Sequence, residues 1–177
     1  KARAEDLGTV LKSGQPVRIL LKPTGSSAVP AAQMILQAYG QSFDSIKKAG
    51  GDVIQVAETQ IADILRNGGA DIYIDTMIKG HPTITEVSLT TKMQFLDIPN
   101  EAMGILKKNG LSPAVYGPWF EGQSKPNVGA DLGTVLIANA SLPDDMAYLI
   151  TKALIENAKA MGEAHAAWKA FKPEAAW

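Results

Sequence analysis

The chain has 177 residues, 46% of them hydrophobic, enough for one domain or one domain with an appendage around a real core. Its 17 basic and 18 acidic residues nearly cancel, and no basic run exceeds Lys47-Lys48 or Lys107-Lys108, so nucleic acid is not an expected partner. The absence of cysteine excludes disulfides, thiolate metal sites and cysteine nucleophiles, and no apolar run reaches the ~18 residues that would cross a membrane.

Residues 4–13 carry a short helical pattern ended by Gly14. Val17 to Lys22 (VRILLK) is nearly continuous in apolar character, which predicts a strand buried on both faces. The turn Pro23-Thr24-Gly25-Ser26-Ser27 follows. Ala28, Ala32, Ile35, Leu36 and Tyr39 then recur at helical spacing up to Gly40. A short helix is expected over 42–48 and a strand from Val53 to Ala57. Ile61, Ile64 and Leu65 mark a helix stopping at Asn67-Gly68-Gly69, before a strand from Asp71 to Asp75.

His81 to Leu89 reads as a helix with Pro82 in its first turn, where a missing N–H costs little. Lys92 to Leu96 reads as a strand, and Asp97 as the cap of a helix that starts with Pro99 and ends at Asn109-Gly110. Residues 111–129 read as one long irregular stretch, rich in Pro and Gly and holding Tyr116, Trp119 and Phe120. Leu132 to Ala138 is the last expected strand. Ser141-Leu142-Pro143-Asp144 has the form of a capping box before a long helix with Met146, Leu149, Ile150, Ala153 and Leu154 on its apolar stripe. Gly162 is expected to interrupt that helix, and a final helix carries His165, Trp168 and Phe171. The alternation of strands and helices predicts an α/β fold with a mostly parallel sheet flanked by helices.

Three segments could carry chemistry. The turn Thr24-Gly25-Ser26-Ser27 leads from a strand into a helix, so the first helical N–H groups are unpaired and the helix dipole adds partial positive charge. That suits a carboxylate or other anion at the carboxyl end of a strand. The competing reading is an ordinary N-cap, with Ser26 or Ser27 satisfying its own helix. No Lys follows the glycine as in a Walker loop, and Gly-Ser-Ser is not a nucleophile elbow.

The second segment, from Asp75 through Thr76, Met77 and His81 to Pro82, also follows a strand and opens a helix, so its backbone is expected to face the same cleft. His81 would touch a ligand or simply start its helix. The third is Tyr116-Gly117-Pro118-Trp119-Phe120, whose Trp119 either closes over a ligand or anchors the loop. No metal or cofactor is expected, since His81 and His165 stand far apart in sequence and no acidic constellation surrounds either.

In this order the segments resemble the TAXI family of solute receptors that serve TRAP membrane transporters. The resemblance rests on Ile19 to Leu21, Thr24-Gly25-Ser26-Ser27, Tyr39-Gly40, Phe43-Asp44, Ile64 to Gly68, Ala70-Asp71-Ile72 and Gly80-His81-Pro82. The closest likeness is Leu142-Pro143-Asp144-Asp145 with Tyr148 to Leu154, followed by His165. It spans about residues 4 to 170. The family turn is commonly Gly-Ser-Gly-Thr, where this chain has Gly25-Ser26-Ser27-Ala28, and the loop at 116–120 differs from the family's usual Pro-Gly-Tyr-Pro-Gly kind.

The resemblance implies a type II periplasmic-binding-protein fold whose ligand lies between two lobes. Residues 1–130 would form the second, ligand-binding lobe, and 131–177 a returning strand with C-terminal helices. The first lobe would precede Lys1, so the chain is expected to be a piece of a longer exported protein, without its signal peptide. The implied function is a periplasmic receptor, not an enzyme, that captures a small organic anion such as an amino or dicarboxylic acid and presents it to TRAP membrane subunits. Thr24, Gly25, Ser26 and Ser27 are the expected contacts, followed by Thr76, Met77, His81 and Trp119. A sensor module of the same fold is the alternative, and a hydrolase using Ser26 and His81 a more distant one. Truncation would leave apolar surface exposed, so self-association is expected.

Overall fold

The computed structural model describes residues 7–133 and 135–175, which divide into two units, Lys1–Gly133 and Thr134–Trp177. In the first unit the elements are α1 (Leu7–Lys12), β1 (Arg18–Leu21), α2 (Ala28–Gln37), α3 (Phe43–Lys48), β2 (Asp52–Gln55), α4 (Glu58–Arg66), β3 (Ile72–Tyr73), α5 (Pro82–Thr90), α6 (Asn100–Lys108), β4 (Ser112–Tyr116) and β5 (Asn127–Asp131). The first four residues of the expected opening helix include 4–6, which lie outside the described residues.

β1 is the middle strand of a three-stranded parallel sheet, with β2 on one side and β3 on the other. Its sequence explains the position. Ile19, Leu20 and Leu21 are all fully buried, which only a strand covered on both faces allows. Ile19 and Leu21 enter one cluster with Leu11 of α1, Ala32, Ile35 and Leu36 of α2, Ile46 of α3, and Ala102 and Leu106 of α6. Strand alternation turns Leu20 to the opposite face. α4 and α5 pack on each other and bury Ile61, Ile84 and Val87. The molecule is therefore a mixed α/β structure with a parallel sheet flanked by helices, as the sequence pattern requires.

The side-to-side order is locked at the amino end of β1. The Arg18 guanidinium makes a two-pronged bond to Asp71, with Nε 2.9 Å from Oδ2 and Nη2 2.8 Å from Oδ1, and Arg18 N–H donates to the same carboxylate at 2.9 Å. Paired geometry of this kind fixes orientation as well as attraction.

Several sequence expectations need correction here. Lys92 to Leu96 forms no strand. The Phe95 carbonyl accepts from the Asn127 side chain (3.3 Å), and the Phe95 ring stacks on Phe120 at 5.8 Å, so side chains take the place of a ladder. Asp97 caps no helix. α6 begins after Pro99, and the Asp97 carboxylate instead accepts from Val128 N–H (2.9 Å) and Asn127 Nδ2 (2.8 Å).

Residues 111–129 are not irregular throughout. β4 and β5 pair antiparallel from Ser112↔Asp131 to Tyr116↔Asn127, with the aromatic loop between them. Pro113 and Gly129 weaken the sequence signal for strands, but neither prevents pairing in a two-stranded ribbon. β3 is also shorter than Asp71 to Asp75.

The second unit contains α7 (Asp144–Glu156), α8 (Ala158–Ala164) and two 3-10 turns, Ala166–Ala170 and Pro173–Ala175. The expected strand from Leu132 to Ala138 does not form among the described residues, and Ile137 is 85% exposed. A strand has no stability without a ladder partner, whatever its apolar content. The capping box is absent as well. Pro143 precedes α7, and the Ser141 hydroxyl donates to Asn139 Oδ1 at 2.9 Å.

α7 buries none of its residues, and Met146 and Leu149 of its apolar stripe are exposed. The helix break falls at Asn157. Gly162 lies inside α8, buried against the Lys169 backbone. Trp168 and Phe171 meet edge to face at 5.6 Å around a 3-10 turn in place of the final helix.

Candidate functional site at the carboxyl edge of the sheet

The carboxyl ends of β2, β1 and β3 lie side by side, and each continues into a polar turn. After β1 the chain makes a tight turn in which Ser26 N–H donates to Pro23 O at 3.0 Å. Gly25 has φ of 102°, which a side chain would resist, and α2 starts at Ala28. Ser26 Oγ accepts weakly from Ala28 N–H at 3.3 Å, so Ser26 is committed in part to its own helix, as the capping reading expects. Ser27 makes no side-chain capping bond. The N–H groups of Gly25 and Ser27 have no intrachain acceptor among the described residues. Gln55, the last residue of β2, donates from Nε2 to Thr24 Oγ1 at 3.4 Å. The turn is thus tied to its neighbouring strand while exposed Thr24, Gly25 and Ser27 face outward.

Beside the turn lies a charged cluster that sequence reading missed almost entirely. Lys22, the residue after β1, places its ammonium 3.1 Å from Asp75 Oδ2 and 3.4 Å from Glu58 Oε2. The Asp75 side chain is only 3% exposed. Its remaining bonds come from the Tyr73 hydroxyl and from Thr76 N–H at 2.7 Å. A carboxylate buried to this degree requires such partners. Burial, followed by the bond to Asp75 and its negative charge, pushes the Tyr73 hydroxyl far above the usual phenol range.

Glu58 opens α4 and joins the cluster to α5. Thr83 Oγ1 donates to its Oε1 at 2.9 Å, and His81 Nε2 lies 3.5 Å from the same oxygen. The Thr83 bond, with smaller help from the Lys22 and His81 charges, holds the Glu58 carboxyl below its ordinary range despite some desolvation. His81 is mostly buried, and its Nδ1 has no hydrogen-bond partner among the described residues. The imidazole starts its helix and also meets a carboxylate, so both readings of His81 describe part of its position.

Thr76 is engaged through its backbone with Asp75, and Met77 is half-buried beside it. Ser26 and His81 bond to different partners, Ala28 N–H and Glu58, and not to each other. Among the described residues no group of three His, Asp or Glu side chains is placed to hold a metal ion.

Trp119 belongs to another cluster. Its ring meets Tyr116 at 5.6 Å and Phe120 at 6.4 Å. Its N–H donates to Gln123 Oε1 at 2.8 Å, and Gln123 Nε2 donates to Tyr116 O (3.3 Å) and Asn127 Oδ1 (3.1 Å). Buried Gln123 therefore ties the loop onto its own hairpin. The loop is an anchored structure, and none of its recorded partners belongs to the turn at 24–27 or the Lys22 cluster.

Lys22, Glu58 and Tyr73 gave little signal in the sequence. Each stands within a few residues of a strand end or helix start, but charged residues at such places are common. Their convergence depends on the strand order β2-β1-β3.

Among the described residues no helix is long and apolar enough to cross a membrane. Residues 16–177, which include the whole sheet and the polar edge just described, match the NMT1-like family. An α/β body with its polar turns gathered at one sheet edge agrees with that match, and the chain belongs to the NMT1-like family, a periplasmic-binding-protein-like family of solute receptors.

Proposed function

We propose that the protein is the extracytoplasmic receptor of a TRAP transporter, of the TAXI type, and that it captures a small organic anion by closure of two lobes. The observation that carries this reading is the turn at 24–27. Two N–H groups without intrachain acceptors stand at the amino end of a ten-residue helix, at the carboxyl edge of a parallel sheet. Partial positive charge and unpaired donors at such a place favour a carboxylate.

Residues 1–130 are assigned to the ligand-binding lobe and 131–177 to the segment that returns toward a second lobe. Ligand contacts are assigned to Thr24, Gly25, Ser26 and Ser27, with Thr76, Met77 and His81 at the margin. Trp119 drops in rank, because its loop is bound to its own hairpin. Hinge closure over the ligand would then present a surface to the membrane subunits.

The reading is tested by purifying the natural full-length protein, denaturing it and identifying released acids by mass spectrometry. Calorimetric titration with a panel of small carboxylates follows. A stoichiometric organic acid, or binding of any carboxylate that a Ser27→Asp change removes, supports it. An empty protein that also binds no carboxylate in the panel would sink it.

A further inference from the structure

Asp75 and Glu58 flank one ammonium, but they are not equivalent. Asp75 is almost wholly buried and is bound by Lys22, the Tyr73 hydroxyl and Thr76 N–H. It neutralises Lys22 from the inside of the fold. The Glu58 side chain remains 47% exposed and sits slightly farther from Lys22, at 3.4 Å. Counting fixed charges, the cluster holds one ammonium against two carboxylates. The unbalanced charge is the one that faces outward.

The Glu58 carboxylate is also held in place before any ligand arrives. Its Oε1 accepts from Thr83 at 2.9 Å, and its Oε2 faces Lys22. The Gln55 to Thr24 bond places the end of β2 against the anion turn, and Glu58 follows Gln55 by three residues. A donor-rich turn and an acceptor of fixed direction thus occupy one edge of the sheet.

A second observation points the same way. His81 Nδ1 is buried with no partner among the described residues. Buried polar atoms in native proteins are nearly always paired, so a lone one beside Glu58 marks a place where the chain does not supply its own partner.

We propose that the ligand carries a protonated amine beside its carboxylate, and that Glu58 receives the amine while the turn at 24–27 receives the carboxylate. This rests on the receptor reading and narrows its ligand class from organic anions to zwitterions. A dicarboxylate would bring its second negative charge to the excess carboxylate and be disfavoured. An ammonium would form a charge-assisted hydrogen bond there.

The test is calorimetric titration of the natural full-length protein with matched pairs that differ by one amine, such as leucine against 4-methylpentanoate and glutamate against glutarate. The amine-bearing member of at least one pair is expected to bind about tenfold tighter, and Glu58→Gln to remove most of that preference while the amine-free acid binds as before. Equal or tighter binding of the amine-free acids would overturn the inference and leave the receptor reading standing. Failure of every carboxylate to bind would overturn the receptor reading, and this inference with it. The comparison within each pair on the unaltered protein decides the matter even if Glu58→Gln does not fold.

Discussion

Lys22 Nζ stands 3.1 Å from Asp75 Oδ2, and this pair joins the carboxyl end of β1 to the segment after β3. β3 contributes only two residues of ladder, so the ion pair holds the sheet edge where main-chain bonding runs out. The same pair leaves Glu58 as the outward charge.

Asp75→Asn should therefore destabilise the first unit. It leaves a mostly buried ammonium with only Glu58 as counter-charge. Removing one partner of a buried pair costs about 3 kcal/mol or more, and the remaining Glu58 contact puts the expected loss near the low end, about 3 kcal/mol. Urea unfolding read by circular dichroism checks it. A midpoint unchanged from the parent would mean that Lys22 is adequately solvated without Asp75.

Ser27→Asp separates folding from binding. A negative charge at the start of α2 suits the helix dipole and should leave stability unchanged or raise it by about 0.3–1 kcal/mol. The same charge occupies the turn and repels a carboxylate, so binding of any organic acid should weaken at least about tenfold. Thermal unfolding and calorimetric titration on one preparation read both effects. Retained affinity would show that the ligand does not use this turn.

Gln123→Ala should loosen the aromatic loop. Gln123 is buried and serves Trp119 N–H, Tyr116 O and Asn127 at once. Stranding these groups costs about 1–3 kcal/mol, visible as a lower urea midpoint. Because the loop's partners lie in its own hairpin, ligand affinity should move by less than about threefold, within the ~0.6 kcal/mol that separates independent sites.

Asp97 gives a pH signature. Val128 N–H first, then Asn127 and Lys125, hold its carboxyl below the usual range. A folded-state value below the unfolded one means that the stabilisation is fully present above the ordinary carboxylate pKa of about 3.9 and is lost as pH falls through the folded value. The urea midpoint should therefore drop between about pH 5 and pH 2, and Asp97→Asn should flatten part of that drop. The side chain is 42% exposed, so the effect is small. A parallel slope in parent and variant would assign the acid loss to other groups.

The second unit exposes Val135, Leu136 and Ile137 and much of the α7 stripe. Apolar surface of this kind promotes association. Sedimentation velocity of the 177-residue chain should show self-association that rises with concentration and falls in an Ile137→Lys, Leu149→Lys double variant. A monomer at high concentration would contradict this.

The sequence by itself determined the α/β class, the burial of β1 and the turn that opens α2. Those features are local. An unbroken apolar tetrapeptide, helical spacing from Ala28 and a Gly-Ser turn each state their own structure within a dozen residues. The tertiary structure alone decided the β4–β5 pairing, the failure of 132–138 to become a strand and the use of Asp97 as a hairpin clamp. A strand is defined by its partner, and apolar content cannot say whether a partner comes within reach. The Lys22, Glu58 and Asp75 cluster has the same origin. Its residues lie up to 53 positions apart, and only the order β2-β1-β3 puts their charges on one edge, where Coulomb attraction over about 3 Å can act.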